Sequence, residues 1–292
     1  MVEKFLVTGA SGLLGRVFVT LAVAKGYDVC SLYFEHKPQV GKSIRVDLTD
    51  PASVDACMEA ERPDIVINTA SATDVDRCER EPQWAENLNG NAACKLSDAC
   101  HRVNAFLVHV STDYVFDGKK GNYNENDKPT PINRYGASKL IGEELVIQNE
   151  NTCVARTSVV FGWGRSHRPN FGLWLYNKLS KGETVNVVSD QFASPTLNTN
   201  LAGMLLELAE RRALGLIHVA GATRISRFEF AVKLANTFNF NSALVTPVKS
   251  DSIDWIAKRP RDSSLDTTKA REILNTKPLM VEDALREFAQ TV

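Results

Sequence analysis

Residues 4–8, Lys-Phe-Leu-Val-Thr, form an apolar run without polar alternation, the pattern of a strand covered on both faces. Gly9-Ala10-Ser11-Gly12-Leu13-Leu14-Gly15 follows at once, and 16–25 continues as a helix stopped by Gly26. Short apolar runs then alternate with helical periodicity. Strands are predicted at 28–33, at a third position closed by Val46-Asp47-Leu48-Thr49-Asp50, and at 64–71, 105–110 and 152–160. Helices are predicted at 51–61, 82–91 and 135–146. Strand-helix alternation of this kind predicts an α/β fold with a doubly wound parallel sheet.

The second half is less regular. A helix over 170–179 places Phe171, Trp174 and Leu175 at core-facing spacing, and Trp174 reads as packing. Short strands at 185–188 and 215–219 flank a helix at 198–211. Ser226 with Glu229 three residues on is a capping box opening a helix to Phe238. Helices at 267–274 and 281–288 finish the chain. No long linker separates two lobes. The expected division is a dinucleotide-binding domain of 1–157 plus about 187–220, and a smaller substrate-binding lobe of about 158–186 plus 221–292.

Composition adds bounds. The chain has 292 residues, 43% hydrophobic and 24% charged, which is ordinary for a globular protein with a sizeable core. A net charge of −1 gives no global field for nucleic acid or an anionic membrane, and neither is expected as a partner. Six cysteines, at 30, 57, 78, 94, 100 and 153, include no Cys-x-x-Cys pair and no histidine at ligand spacing. They read as reduced thiols in a cytoplasmic protein, and Met1 leads into a strand with no leader.

Chemistry enters with two stretches. Strand, glycine turn and helix in succession suggest a dinucleotide site. Gly9 would allow the tight turn, Gly12 the approach of a pyrophosphate, and Gly15 close helix packing. An acid closing the third strand, Asp47, would accept from an adenine amino group. Glu35 lies slightly past the place of a ribose-binding acid, and Lys37 or His36 would instead suit a 2′-phosphate, so NADPH and NADH both remain open.

The second stretch is Val110-Ser111-Thr112-Asp113-Tyr114-Val115-Phe116-Asp117-Gly118, followed after a loop by Tyr135-Gly136-Ala137-Ser138-Lys139. Tyr135 and Lys139 are one helical turn apart and share a face. A phenol titrates near ~10. An ammonium about 4 Å away, at an effective dielectric of about 20, contributes roughly 4 kcal/mol, or about three pKa units. Tyr135 is thus a candidate general acid, with a hydroxyl of Thr112 or Ser111 aligning the substrate oxygen. Tyr-x-x-x-Lys alone also fits a solvated helix turn. Arg165 and Arg168 are candidate phosphate contacts, as is the basic run Lys258-Arg259-Pro260-Arg261-Asp262.

Taken in order, the glycine turn, Asp47-Leu48, Asn68-Thr69-Ala70, Asn89, Ser111 through Gly118 and Tyr135-x-x-x-Lys139 resemble the extended short-chain dehydrogenases/reductases, a Rossmann-like family. Within them the chain most resembles the dTDP-4-dehydrorhamnose reductase family, and the likeness runs on through Arg156-Thr157-Ser158, 190–196 and Arg259-Pro260. The resemblance implies Thr112, Tyr135 and Lys139 as the catalytic trio. It implies a cofactor bound at the turn from Gly9 to Gly15, with Gly12, Leu13 and Leu14 on the pyrophosphate, and with Asp47 and Leu48 at the adenine. Ser71, Ala72, Thr73, Val110, Tyr135 and Lys139 would lie at the nicotinamide end. Thr112, Asp113, Asn170 and Arg259 would meet a nucleotide-sugar substrate whose 4-keto group is reduced.

The chain departs from the family at Val159, where a sugar-contacting tryptophan often stands, and at Val17, where some members carry a glutamate that shares magnesium between subunits. No metal is expected, and a homodimer is a possible assembly. Two rival readings are a regulatory subunit resembling the beta subunit of methionine adenosyltransferase and a sugar-nucleotide epimerase. The epimerase would need an additional pocket acid or base, and none stands out.

Overall fold

The structure is a computed structural model that describes residues 2–164 and 170–290. Its centre is a seven-stranded parallel sheet. Strands β1 (Lys4–Thr8), β2 (Asp28–Tyr33), β3 (Lys42–Arg45), β4 (Ile65–Asn68), β5 (Phe106–Thr112) and β6 (Thr152–Thr157) are joined by the strand Gly215–His218. The order across the sheet is Gly215–His218, β6, β5, β4, β1, β2, β3. Successive strands run outward in opposite directions from the β1/β4 junction. Such a switch point opens a crevice at the carboxyl ends, and ligands of open α/β sheets bind there.

The continuous apolar runs are explained by burial on both faces. Phe5 and Val7 of β1 pack on one side with Phe18 and Val19 of α1 (Leu13–Ala24). Leu6 packs on the other with Val54 and Met58 of α2 (Pro51–Glu61). α3 (Val75–Arg80) and α4 (Pro82–Glu86) follow β4, and α5 (Ala92–Val103) and α6 (Arg134–Val146) complete the second face. After α7 (Phe171–Leu179) in the second half, α8 (Asn198–Glu210) returns to the first face beside α1.

A separate apolar cluster joins Leu175 and Leu179 of α7, Phe230 and Leu234 of α9 (Arg227–Thr237), and Phe288. Around it, the strand Val185–Val188 pairs with Val245–Val248 rather than with the main sheet. The capping box predicted at Ser226 and Glu229 is present.

Three differences from the sequence expectation bear on the site. The strand expected over 152–160 stops at Thr157, because Val159 adopts φ 41° and turns Val160–Phe161 away to pair with Thr196–Leu197. β3 ends at Arg45, so Asp47 sits in the turn after it. The helix expected over 82–91 is α-helical only to Glu86, then forms a π-helical turn, Asn87–Asn91, before α5. Single π turns tend to mark functional sites. Among the described residues, no helix is long and apolar enough to cross a membrane.

Candidate active site

The glycine turn closes through Gly12 N–H donating to the Gly9 carbonyl at 2.9 Å. Gly9 has φ +61°, and a Cβ there would lie 2.9 Å from Ala70 N on the neighbouring β4 loop. At Gly15 a Cβ would lie 2.3 Å from the Gly9 carbonyl oxygen. At Gly12 it would meet only that oxygen, at 3.1 Å, so the outer side of this residue is open. α1 begins there without a side-chain cap and without an acid in its first turn, leaving its amides and positive dipole end for an anion. Leu14 is buried in the core, so it can offer only its backbone, while Leu13 is partly exposed.

Asp47 lies in the turn beyond β3, with Oδ1 accepting from Thr49 N at 2.8 Å and Thr49 Oγ1 at 2.6 Å. Asp50, not Asp47, caps α2. Glu35, His36 and Lys37 are exposed beyond β2.

The β4 loop is fixed by the π turn. Asn89, buried in that turn, accepts from Ser71 Oγ at 2.8 Å and from Ala72 N at 2.7 Å. Its amide nitrogen donates to Ala72 O at 3.2 Å and to Ser138 Oγ on α6 at 2.9 Å. One side chain therefore locks Ser71 and Ala72 to the helix carrying Tyr135. Thr73 is exposed beside them.

β5 delivers Val110, Thr112 and Asp113, and α6 faces it. Asn133 caps α6 by accepting from Gly136 N at 2.8 Å, which places Tyr135 in the first turn. The partly buried Tyr135 packs edge-on against Tyr114, centroids 5.7 Å apart, and against Ala72 and Cys78. Burial pushes its phenol above the ordinary value, a hydrogen bond with Thr112 opposes this, and Asp113, Tyr114 and Cys78 add to the rise. The net direction is the opposite of the lowering expected from a nearby ammonium. Lys139 instead donates to the Val110 carbonyl at 2.7 Å, and burial brings it down to about 8 against the opposing charge of Glu143.

Beneath Lys139 lies a polar layer that the sequence did not disclose. Thr8 donates to Asn68 Oδ1 at 2.6 Å, and Asn68 Nδ2 lies 3.0 Å from His109 Nδ1, whose Nε2 is 3.5 Å from Lys139 Nζ. Burial, then the Lys139 charge, pushes His109 well below its ordinary value, so the ring stays neutral. One turn on, Glu143 is held by Ser111 Oγ and by Arg156, whose Nη2 donates at 2.6 Å and Nε at 2.9 Å. Both members of this ion pair are buried.

The expected substrate residues separate. Thr112 and Asp113 stand at the end of β5, but both carboxylate oxygens of Asp113 are engaged. Oδ1 accepts from Thr112, while Oδ2 accepts from Ser158 at 2.8 Å and Ser263 at 2.5 Å, tying β5 to the C-terminal segment. Burial raises this carboxyl, with Ser263, Ser158 and Thr112 opposing. Asn170 caps α7, accepting from Leu173 N at 3.1 Å and donating to Gly162 O at 2.8 Å.

Arg259 does reach the cleft. It lines a cavity of about 260 Å³ with Tyr114, Phe171, Trp174, Gln191, Arg227 and Trp255. Its lining combines aromatic rings with two guanidiniums, and Tyr114 in its wall is the ring that packs against Tyr135. Trp174, read above as core packing, is partly buried and also forms this wall. Arg165 and Arg168 lie outside the described residues. Among the described residues, no group of three or more His, Cys, Asp or Glu is placed to hold a metal ion.

Residues 3–292 match the RmlD substrate binding domain family. The probable low-salt glycan biosynthesis reductase Agl14 of Haloferax volcanii is 35% identical over 96% of this chain and 95% of its own. A hypothetical dTDP-4-dehydrorhamnose reductase of Sulfolobus tokodaii superposes with a TM-score of 0.88 at 40% identity, over 97% of this chain and 99% of that one. The Bacillus anthracis dTDP-4-dehydrorhamnose reductase, solved with NADP, superposes with a TM-score of 0.90 at 31% identity over 100% of both chains. The mouse methionine adenosyltransferase 2 subunit beta is 31% identical over 91% of this chain and 81% of its own. With the glycine turn, the switch-point crevice and a family match over nearly its whole length, the chain belongs to the RmlD substrate binding domain family, an NAD(P)H-dependent oxidoreductase family of the extended short-chain dehydrogenases/reductases.

Proposed function

We propose that this protein reduces the 4-keto group of a nucleotide-linked 6-deoxy sugar, dTDP-4-dehydrorhamnose to dTDP-L-rhamnose, with NADPH or NADH as hydride donor. The observation that carries the reading is the presence of two sites on either side of Tyr135's helix. A capless helix end behind Gly12 follows β1, and an aromatic cavity with Arg227 and Arg259 is walled by Tyr114, which packs edge-on against Tyr135. When bound, the nicotinamide supplies the hydride; the chain's own residues position the ketone and move the proton.

Leu13 and Leu14 amides receive the cofactor pyrophosphate, Asp47 and Leu48 the adenine, and Ser71, Ala72, Thr73 and Val110 the nicotinamide end. Thr112 aligns the sugar carbonyl, and Tyr135 gives its phenolic proton to the oxygen as it gains charge. A phenol raised by burial suits that direction, because it stays protonated until an alkoxide forms beside it. Lys139 then stands within the same helical turn of the phenolate left behind. Arg227 and Arg259 offer charge to the diphosphate, and Phe171, Trp174 and Trp255 an aromatic surface to the base.

The assay is cofactor oxidation followed at 340 nm with dTDP-4-dehydrorhamnose and its UDP and GDP counterparts. Oxidation with the dTDP sugar foremost is expected. The regulatory reading is favoured by the beta-subunit relative, and it gains if no keto sugar is reduced while the protein copurifies with a synthetase.

A further inference from the structure

Asp76, in the first turn of α3, reaches across the cleft to the C-terminal segment. Its Oδ1 accepts from Ala257 N at 3.0 Å and from Arg259 Nη1 at 3.0 Å. The same Nη1 donates to the Ala257 carbonyl at 2.7 Å, so both of its protons are committed to anchoring. The guanidinium also lies over the Trp255 ring, 5.5 Å from its centroid. Arg259 side-chain exposure is only 12%, yet the residue lines the substrate cavity. One edge is therefore pinned, and among the described residues Nε and Nη2 make no hydrogen bond.

α3 is also fixed at the cofactor side. It follows directly on the Ser71–Thr73 loop that Asn89 locks in place, and its Glu79 accepts from Arg134 N at the start of the Tyr135 helix, at 2.9 Å. Asp76 thus stands between the loop that meets the nicotinamide and the arginine that meets the substrate. We infer that Asp76 is a positioning residue that presents Arg259 to the substrate diphosphate and transmits cofactor occupancy to it, so that the two ligands tighten one another. This rests on the function proposed above. An interlobe ion pair with no such role would stabilise the fold without linking the two ligands.

The test uses the full chain, with dTDP as the nucleotide probe, titrated with and without saturating NADP⁺. In the wild type NADP⁺ should tighten dTDP several-fold, within the roughly 5- to 150-fold span of typical couplings. Asp76→Asn should weaken dTDP by about tenfold and remove the coupling, while its NADP⁺ affinity stays within about twofold of wild type. Arg259→Lys should behave alike, and the double variant should be no weaker than Arg259→Lys alone, since both act through one contact. With sugar substrate, KM should rise and kcat hold. Wild-type coupling in Asp76→Asn, additive losses in the double variant, or equal loss of both ligands would each overturn the inference. Absence of any dTDP binding by the wild type would instead overturn the substrate proposed above.

Discussion

Tyr135→Phe is expected to bind NADPH as the wild type does and to turn over roughly 10²- to 10⁴-fold more slowly, the usual contribution of a positioned general acid. The substitution removes one oxygen and leaves the ring where it is. The edge-on contact with Tyr114 and the packing on Ala72 and Cys78 use the ring alone, so fold and cofactor loop persist. What disappears is the hydroxyl proposed above as the proton donor to the ketone. Loss in kcat with little change in KM is the pattern of an interaction made chiefly in the transition state. Stopped-flow or steady-state kinetics beside a fluorescence titration with NADPH decides it. Turnover near wild type would remove the acid assignment, and loss of NADPH binding would assign the hydroxyl to the cofactor instead.

Glu143→Ala is the substitution expected to cost the fold most. It strands Arg156 in a buried site, and breaking one side of such a pair destabilises by roughly 3–5 kcal/mol. Ser111 loses its acceptor as well. Burial also means that an apolar replacement of both partners is tolerated far better than loss of one. Glu143→Leu combined with Arg156→Met should therefore regain most of what Glu143→Ala loses. Urea unfolding of the wild type and these two variants measures this, and a Glu143→Ala loss below about 1 kcal/mol would place the pair with ordinary surface bridges.

Much of this architecture could be read from the chain. Strands buried on both faces, such as β1 and β5, give unbroken apolar runs, and glycines with steric reasons, Gly9 and Gly15, fall at fixed places in the turn. The same holds for Tyr135 and Lys139, because helical spacing alone puts them on one face. Contacts between remote segments were not legible. Asp76 meets Arg259 across 183 residues and Asp113 meets Ser263 across 150, and no local periodicity encodes either pairing. Asn89 entered only as part of the family resemblance, and its function as a clamp needed the π turn to become visible. Lys139 shows the limit in energetics. Spacing predicts proximity to Tyr135, whereas the Val110 carbonyl and burial decide where the amine rests and how it titrates. Asn170 likewise carried a substrate expectation, and its amide is taken up in capping α7.

The most direct test follows an isotope. Wild-type protein would be given dTDP-4-dehydrorhamnose and NADPH carrying deuterium in both positions at nicotinamide C4, and the product sugar read by mass spectrometry and NMR. The account predicts one deuterium, at C4 of the sugar, for each NADPH oxidised. A product without label at that carbon, or cofactor that stays reduced in the presence of the sugar, would contradict it.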